Sequence, residues 1–245
     1  MTAAAPLAIL HDDDRIVAIN KPPGVPVVQA GGEPPDACVR RMLEAQVRQA
    51  LCVVHRLDRD TSGVLVFARS ADAHRRLNAW FEQRLVSKRY VALTAGIPVP
   101  DRGAIEVPLH AARRGRTRPA APGEHGQHAA TDYAVVRAWT RGGLAAALVE
   151  AHPRTGRHHQ IRVHLRSAGT PILFDEIYGR STLAGEWAEG PCRRLALHAV
   201  RLDLPADAGR PPLCIEAPIW DDVAAQIGWF DARWATGPTR AAAGE

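Results

Sequence analysis

The run VLVFA, Val64 to Ala68, constrains the fold more than any other stretch of the chain. Five consecutive apolar residues leave no polar face, so a strand here is buried on both sides and belongs to a covered sheet. Directly before it stands HRLDRDTSG, which sets two arginines, two carboxylates and two hydroxyls between apolar strands. Asp, Thr, Ser and Gly are ordinary turn residues, so a structural turn is one reading. A second charge-rich stretch, RTGRHHQIRVH, repeats the pattern about a hundred residues later. Two such stretches at the ends of apolar strands favour a cleft, in which an arginine beside a carboxylate keeps it ionised.

Around these stretches the pattern is one of short strands with a few helices. Leu7 to Leu10 and Ile16 to Ile19 read as strands separated by HDDDR, and KPPG imposes a turn. Gly31 to Asp36 reads as a loop, Val39 to Val47 as a helix and Cys52 to Val54 as a short strand. Ser70 suits the N-cap of a helix that carries Leu77, Trp80, Phe81 and Arg84 near one face. Tyr90 to Ala95 and Ala104 to Val107 are further strands. Thr131 to Val136 and Leu144 to Ala151 are expected to pair. Ile161, Leu165 and Ala168 fall on one helical face that Gly169 ends. Leu195 to Leu204 and Leu213 to Glu216 read as strands and Asp221 to Ile227 as a short helix. The implied class is α+β, with a mixed, mostly antiparallel sheet and flanking helices. The organisation expected is a tail over 1–6, one domain over 7–230 and a C-terminal tail over 231–245. Residues 110–128, rich in Arg, Gly, Pro and His with no apolar period, are expected to form an exposed basic insertion.

Charge narrows the partners only a little. The chain has 31 Lys and Arg against 26 Asp and Glu, a net +5, and its two lysines are Lys21 and Lys88, so the positive charge is nearly all guanidinium. That suits phosphate and base stacking. Cys38, Cys52, Cys192 and Cys214 have no CxxC pair, which points to reduced thiols rather than zinc or disulfides. The N-terminus lacks a basic, apolar leader, and no apolar run is long enough to span a bilayer. A cytoplasmic protein with no membrane partner is expected.

Seven stretches in order, NKPPG, HRLDRDTSGVLVFA, FEQRLVSKRYVAL, PRTGRHHQIRVHL, PILFDEIYG, LALHAVRL and EAPIW, make the chain resemble the RluA-type pseudouridine synthases from about Ile9 to Pro218. The resemblance begins close to Met1, so the accessory RNA-binding domain that often precedes this catalytic domain is expected to be absent. It implies the pseudouridine synthase fold and the conversion of uridine to pseudouridine in a structured ribosomal RNA or tRNA, by a monomer. It also implies the roles. Asp58 corresponds to the catalytic aspartate, Arg56 to the arginine that fills the space of the extruded nucleotide, and Tyr90 to the tyrosine that stacks on uracil. Arg162 corresponds to the cation paired with the catalytic carboxylate, and Leu197 to a position near the base. His55, Lys88 and, less strongly, Lys21 are RNA-contact candidates, as are Arg113, Arg114, Arg116 and Arg118 of the basic insertion. Two departures stand in PILFDEIYG, where the family commonly has Gly in place of Phe174 and Pro in place of Glu176.

The chemistry fits these residue types. Isomerisation breaks the bond from N1 to C1′ and joins C5 to C1′, and a carboxylate serves by attack at C1′, by addition at C6 or through a glycal-like intermediate. No cofactor or metal is required. Extruding the base calls for an intruding side chain and an aromatic platform. Two rival readings remain. One is a metal hydrolase built on His152, His158, His159 and His164, which lacks HExxH or a carboxylate partner. The other is an RNA-binding protein without catalysis.

Overall fold

The structure is a computed structural model that describes residues 6–29, 34, 37–112, 115–207 and 209–237. Arg113, Arg114, most of the loop expected over Gly31 to Asp36, and most of both tails lie outside the described residues. In chain order the elements are β1 (Ala8–Asp12), β2 (Ile16–Lys21), α1 (Val39–Val47), β3 (Cys52–Val53), β4 (Ser62–Ala68), α2 (Ala71–Glu82) and β5 (Ser87–Ala95). There follow β6 (Arg102–Ile105), β7 (Leu109–Ala112), β8 (Arg116–Pro119), β9 (Thr131–Arg141), β10 (Leu144–Pro153) and α3 (Gln160–Ser167). Last come β11 (Leu197–Leu204), β12 (Leu213–Glu216), α4 (Asp221–Arg233) and β13 (Ala235–Thr236). The class is α+β, and the chain divides into two compact units.

The first unit comprises residues 1–88 and 199–218. Its strands run in the order β1-β2-β4-β11, with β12 beside β11 and β3 beside β4. Every residue of β4 is buried, as its unbroken apolar run requires, and so is every residue of β2, which pairs with it antiparallel from Ile16 opposite Ala68 to Lys21 opposite Gly63. Helix α2 starts where Ser70 Oγ accepts the Ala73 N–H at 3.2 Å, a cap worth about 1 kcal/mol. The helix then lays Ala73 and Leu77 against Val64, Val66, Leu202 and Ile215. At Gly63, with φ +114°, a Cβ would lie 2.2 Å from the Ala199 carbonyl oxygen, so only glycine lets β4 meet β11.

The second unit comprises residues 89–198 and 219–245. Its strand order is β5-β10-β9-β13, with β6 also on β9. The long β9–β10 hairpin turns through Gly142 and Gly143, both at positive φ, the conformation of a type I′ turn. One core unites Leu93, Trp139, Val149, Ile161, Leu165, Phe230 and Trp234. Helix α4 runs six residues past the expected Ile227, because Phe230 packs on Trp139 with ring centroids 5.1 Å apart and Asp231 accepts the Trp139 indole N–H at 2.7 Å. These are tertiary contacts with no local signature.

Other elements also differ from the sequence expectation. The basic insertion is not a featureless loop, for Leu109 to Ala112 and Arg116 to Pro119 pair as an antiparallel hairpin. Only Leu109 and Thr117 of that hairpin are buried, too few to produce a readable period. Helix α3 is not amphipathic over its first turns either: Gln160 to Leu165 are all buried, whereas Ala168 is exposed. No helix among the described residues is long and apolar enough to cross a membrane.

Candidate active site

In the first unit the Asp58 segment is built on a buried ammonium. Lys21 is 0% exposed, and its Nζ donates to the carbonyls of Pro22 at 2.7 Å, Arg59 at 2.7 Å and Thr61 at 2.9 Å. An ammonium carries three hydrogens, and a buried one is tolerated only when they are satisfied. Lys21 is therefore neither a surface charge nor an RNA contact. It ties NKPPG to HRLDRDTSG. The Thr61 N–H donates to the Asp58 carbonyl at 3.2 Å, closing the turn, while buried Leu57, Thr61 and Ser62 anchor its flanks. Asp58 itself is partly buried and Arg56 is exposed.

His55 is committed to the fold rather than offered to RNA. Its Nε2 accepts the Val66 N–H at 3.0 Å and its ring stacks on Phe81 at 4.9 Å. Burial, and then the nearby charge of Lys88, push its pKa down to about 3, so the ring is neutral and its Nε2 keeps the lone pair that the Val66 amide needs. Lys88 is partly buried, and burial lowers its own pKa.

In the second unit the stretch PRTGRHHQIR folds around Gln160. The Gln160 Oε1 accepts from Thr155 Oγ1 at 2.6 Å and from the Arg157 N–H at 3.0 Å, and its Nε2 donates to the Ala130 carbonyl and to Thr131 Oγ1, each at 2.9 Å. His159 precedes α3 with φ +54°. One turn on, Arg162 is 4% exposed and forks onto Asp175, with Nε to Oδ2 at 2.7 Å and Nη2 to Oδ1 at 2.9 Å. Burial alone would raise the Asp175 carboxyl, but the Arg162 hydrogen bond and charge and the amides of Tyr178 and Ile177 outweigh it and hold the group below the usual range. The Arg162 guanidinium also lies 5.1 Å from the centroid of the Tyr178 ring. In the sequence Asp175 and Tyr178 carry one signal, their three-residue spacing in FDEIYG.

The other sequence candidates have distinct surroundings. Tyr90, in β5 opposite Ala151, is partly buried against the apolar core. Leu197 is 3% exposed and is a member of that core. Arg116 is exposed. Arg118 engages Glu124 through two hydrogen bonds, at 2.6 and 2.7 Å, which hold the Glu124 carboxyl down at about 2. The basic insertion thus carries less free charge than its arginines suggest. His164 is 0% exposed, with Nδ1 at Thr131 Oγ1 and Nε2 at the Val107 carbonyl, and His152 is bonded to Glu150, so the four histidines do not form one ligand set. Phe174, where a glycine is common, holds φ +60°, a left-handed backbone, and its ring is buried in the core.

Residues 15–167 match the family model described as RNA pseudouridylate synthase. The chain is 37% identical over 231 residues to the ribosomal large subunit pseudouridine synthase D of Nitrosomonas europaea, covering 91% of this chain and 65% of that protein. It is 36% identical over 240 residues to tRNA pseudouridine synthase C of Salmonella typhi, covering 91% of this chain and 90% of that one. Among solved structures, human RNA pseudouridylate synthase domain containing 4 superposes with a TM-score of 0.72 at 28% identity, covering 95% of each chain. The chain belongs to the RluA family of RNA pseudouridine synthases.

Proposed function

We propose that the protein isomerises uridine to pseudouridine in a structured RNA, a stem–loop of ribosomal RNA or tRNA, acting as a monomer in the cytoplasm. Asp58 is the catalytic carboxylate, Tyr90 the aromatic partner of the uracil, Arg162 the cation of the reaction centre and Arg56 the side chain that fills the space of the extruded nucleotide. The reaction breaks the bond from N1 to C1′ and makes one from C5 to C1′. The proton lost at C5 is balanced by one gained at N1, so substrate and product are isomers. Each route open to the carboxylate needs it anionic and held still against the sugar or base.

The observation that supports this reading best is the buried Lys21 ammonium, which grips the carbonyls of Arg59 and Thr61 on the C-terminal side of Asp58. Rigid placement of a carboxylate is what an enzyme that detaches and rejoins a base needs, and phosphate binding does not require it. The substrate classes come from the relatives, one named for ribosomal RNA and one for tRNA. The test is a site-resolved pseudouridine map of cellular RNA with and without the gene, followed by assay of the purified protein on the transcript so identified. Wild type restores the mark and Asp58→Asn binds the transcript without turnover. Turnover by Asp58→Asn above a few per cent of wild type overturns the assignment.

A further inference from the structure

Tyr178 is 8% exposed and has a hydroxyl with two partners. It accepts the N–H of Thr117, in β8, at 2.8 Å, and lies 2.8 Å from His159 Nδ1. The same residue holds the Arg162 pair from two sides, its ring beneath the guanidinium and its backbone N–H on Asp175 Oδ1 at 3.0 Å. Thr117 adds a parallel link, its Oγ1 being 2.9 Å from His158 Nδ1, and the rings of His158 and His159 stack 3.6 Å apart. Thr117 is buried, while Arg116 and Arg118 on either side of it are exposed. Displacing the outward side of β8 therefore displaces the Thr117 amide, because neighbouring strand residues share one backbone and point to opposite faces.

We propose that Tyr178 is a positioning residue that couples RNA capture on the β7–β8 hairpin to the alignment of Arg162. A phosphate drawn to Arg116 seats β8, the Thr117 amide then sets the Tyr178 hydroxyl, and the ring fixes the guanidinium that Asp175 already grips. The hydroxyl thereby bridges β8, through the Thr117 N–H, to the turn that precedes α3, through His159 Nδ1. This coupling rests on the proposed function, in which Arg162 belongs to the reaction centre. It adds that the hairpin acts on rate as well as on affinity.

Tyr178→Phe tests it, since the ring over Arg162 stays and both hydroxyl contacts go. RNA affinity stays within about two-fold, while the single-turnover rate at saturating transcript falls on the order of ten-fold, the size expected when a catalytic group loses its alignment. Nitrogen NMR reports the loss of the hydroxyl contact as a shift of the His159 Nδ1 resonance in the variant. A cycle with Arg116→Ser completes the test. In wild type that change lowers both affinity and the saturating rate, and in the Tyr178→Phe background it lowers affinity alone. Wild-type rate in Tyr178→Phe, or an Arg116→Ser rate effect undiminished by it, overturns the coupling. Should Tyr178→Phe fail to fold, Arg116→Ser alone decides, because an unchanged saturating rate is incompatible with the proposal. Wild-type turnover on the same transcript is the control that separates failure of the coupling from failure of the functional reading.

Discussion

The Nζ of Lys21 donates to the carbonyl of Arg59 at 2.7 Å, one residue past Asp58, from a site with no solvent exposure. The cation that ends β2 thus serves as a backbone clasp. Its removal reaches chemistry and stability together. Lys21→Met should strand three carbonyls and destabilise the protein by about 3 kcal/mol or more, at roughly 1 to 3 kcal/mol for each unsatisfied group. Urea unfolding measures this. Lys21→Arg should not rescue, because a planar fork cannot reproduce the three directions of an ammonium. Wild-type stability in Lys21→Met would contradict the clasp.

Arg162 and Asp175 form a buried pair, so removing the carboxylate takes the bidentate partner from a guanidinium that is 4% exposed. Asp175→Asn should cost about 3 to 5 kcal/mol in unfolding free energy. The acid dependence has a definite sign. The folded Asp175 pKa lies below its ordinary value of 3.8, so its stabilisation is complete above that value and is lost as pH falls through the folded pKa. Stability titrated from pH 5 to pH 2 should lose that part of its slope in Asp175→Asn.

His55 acts in a different window. Its folded pKa of about 3 lies below the ordinary 6.5, so the unfolded chain takes up the proton first. Stability from this group is complete above pH 6.5 and declines as pH falls from there toward 3. His55→Gln, whose amide oxygen can accept the Val66 N–H, should flatten the melting temperature between pH 6.5 and 4.5 at a small cost at pH 7. A slope equal to that of wild type removes His55 from the acid response.

Phe174 combines a strained backbone with a buried ring. Phe174→Gly should relieve roughly 1 to 2 kcal/mol of left-handed strain while losing about 3 to 5 kcal/mol of packing, for a net loss of about 2 kcal/mol. Phe174→Ala keeps the strain and loses the packing, so it should be the less stable of the two by about 1 kcal/mol. Chemical denaturation of both variants resolves the order, and a more stable alanine variant would remove the strain from the account.

Much of this architecture was written locally. The unbroken apolarity of Val64 to Ala68 required a strand buried on both faces, and Ser70 marked where the next helix begins. The alternation of Thr131 to Val136 and Leu144 to Ala151 marked two paired strands, and the ordered motifs carried the family and the candidate residues Asp58, Tyr90 and Arg162. These signals lie in residues close together in the chain, where period and turn chemistry act. What the tertiary structure alone decided concerns partners far apart in sequence. Lys21 reads as a surface cation until Arg59 and Thr61, some forty residues on, supply its carbonyls. His55 reads as an RNA contact until Val66 and Phe81 enclose it. The bidentate grip of Asp175 on Arg162 and the Tyr178 ring against it have no counterpart in the local pattern, and the basic hairpin reads as a loop because only two of its described side chains turn inward. Burial of a polar group is settled by whether distant atoms satisfy it, and no local pattern records those atoms.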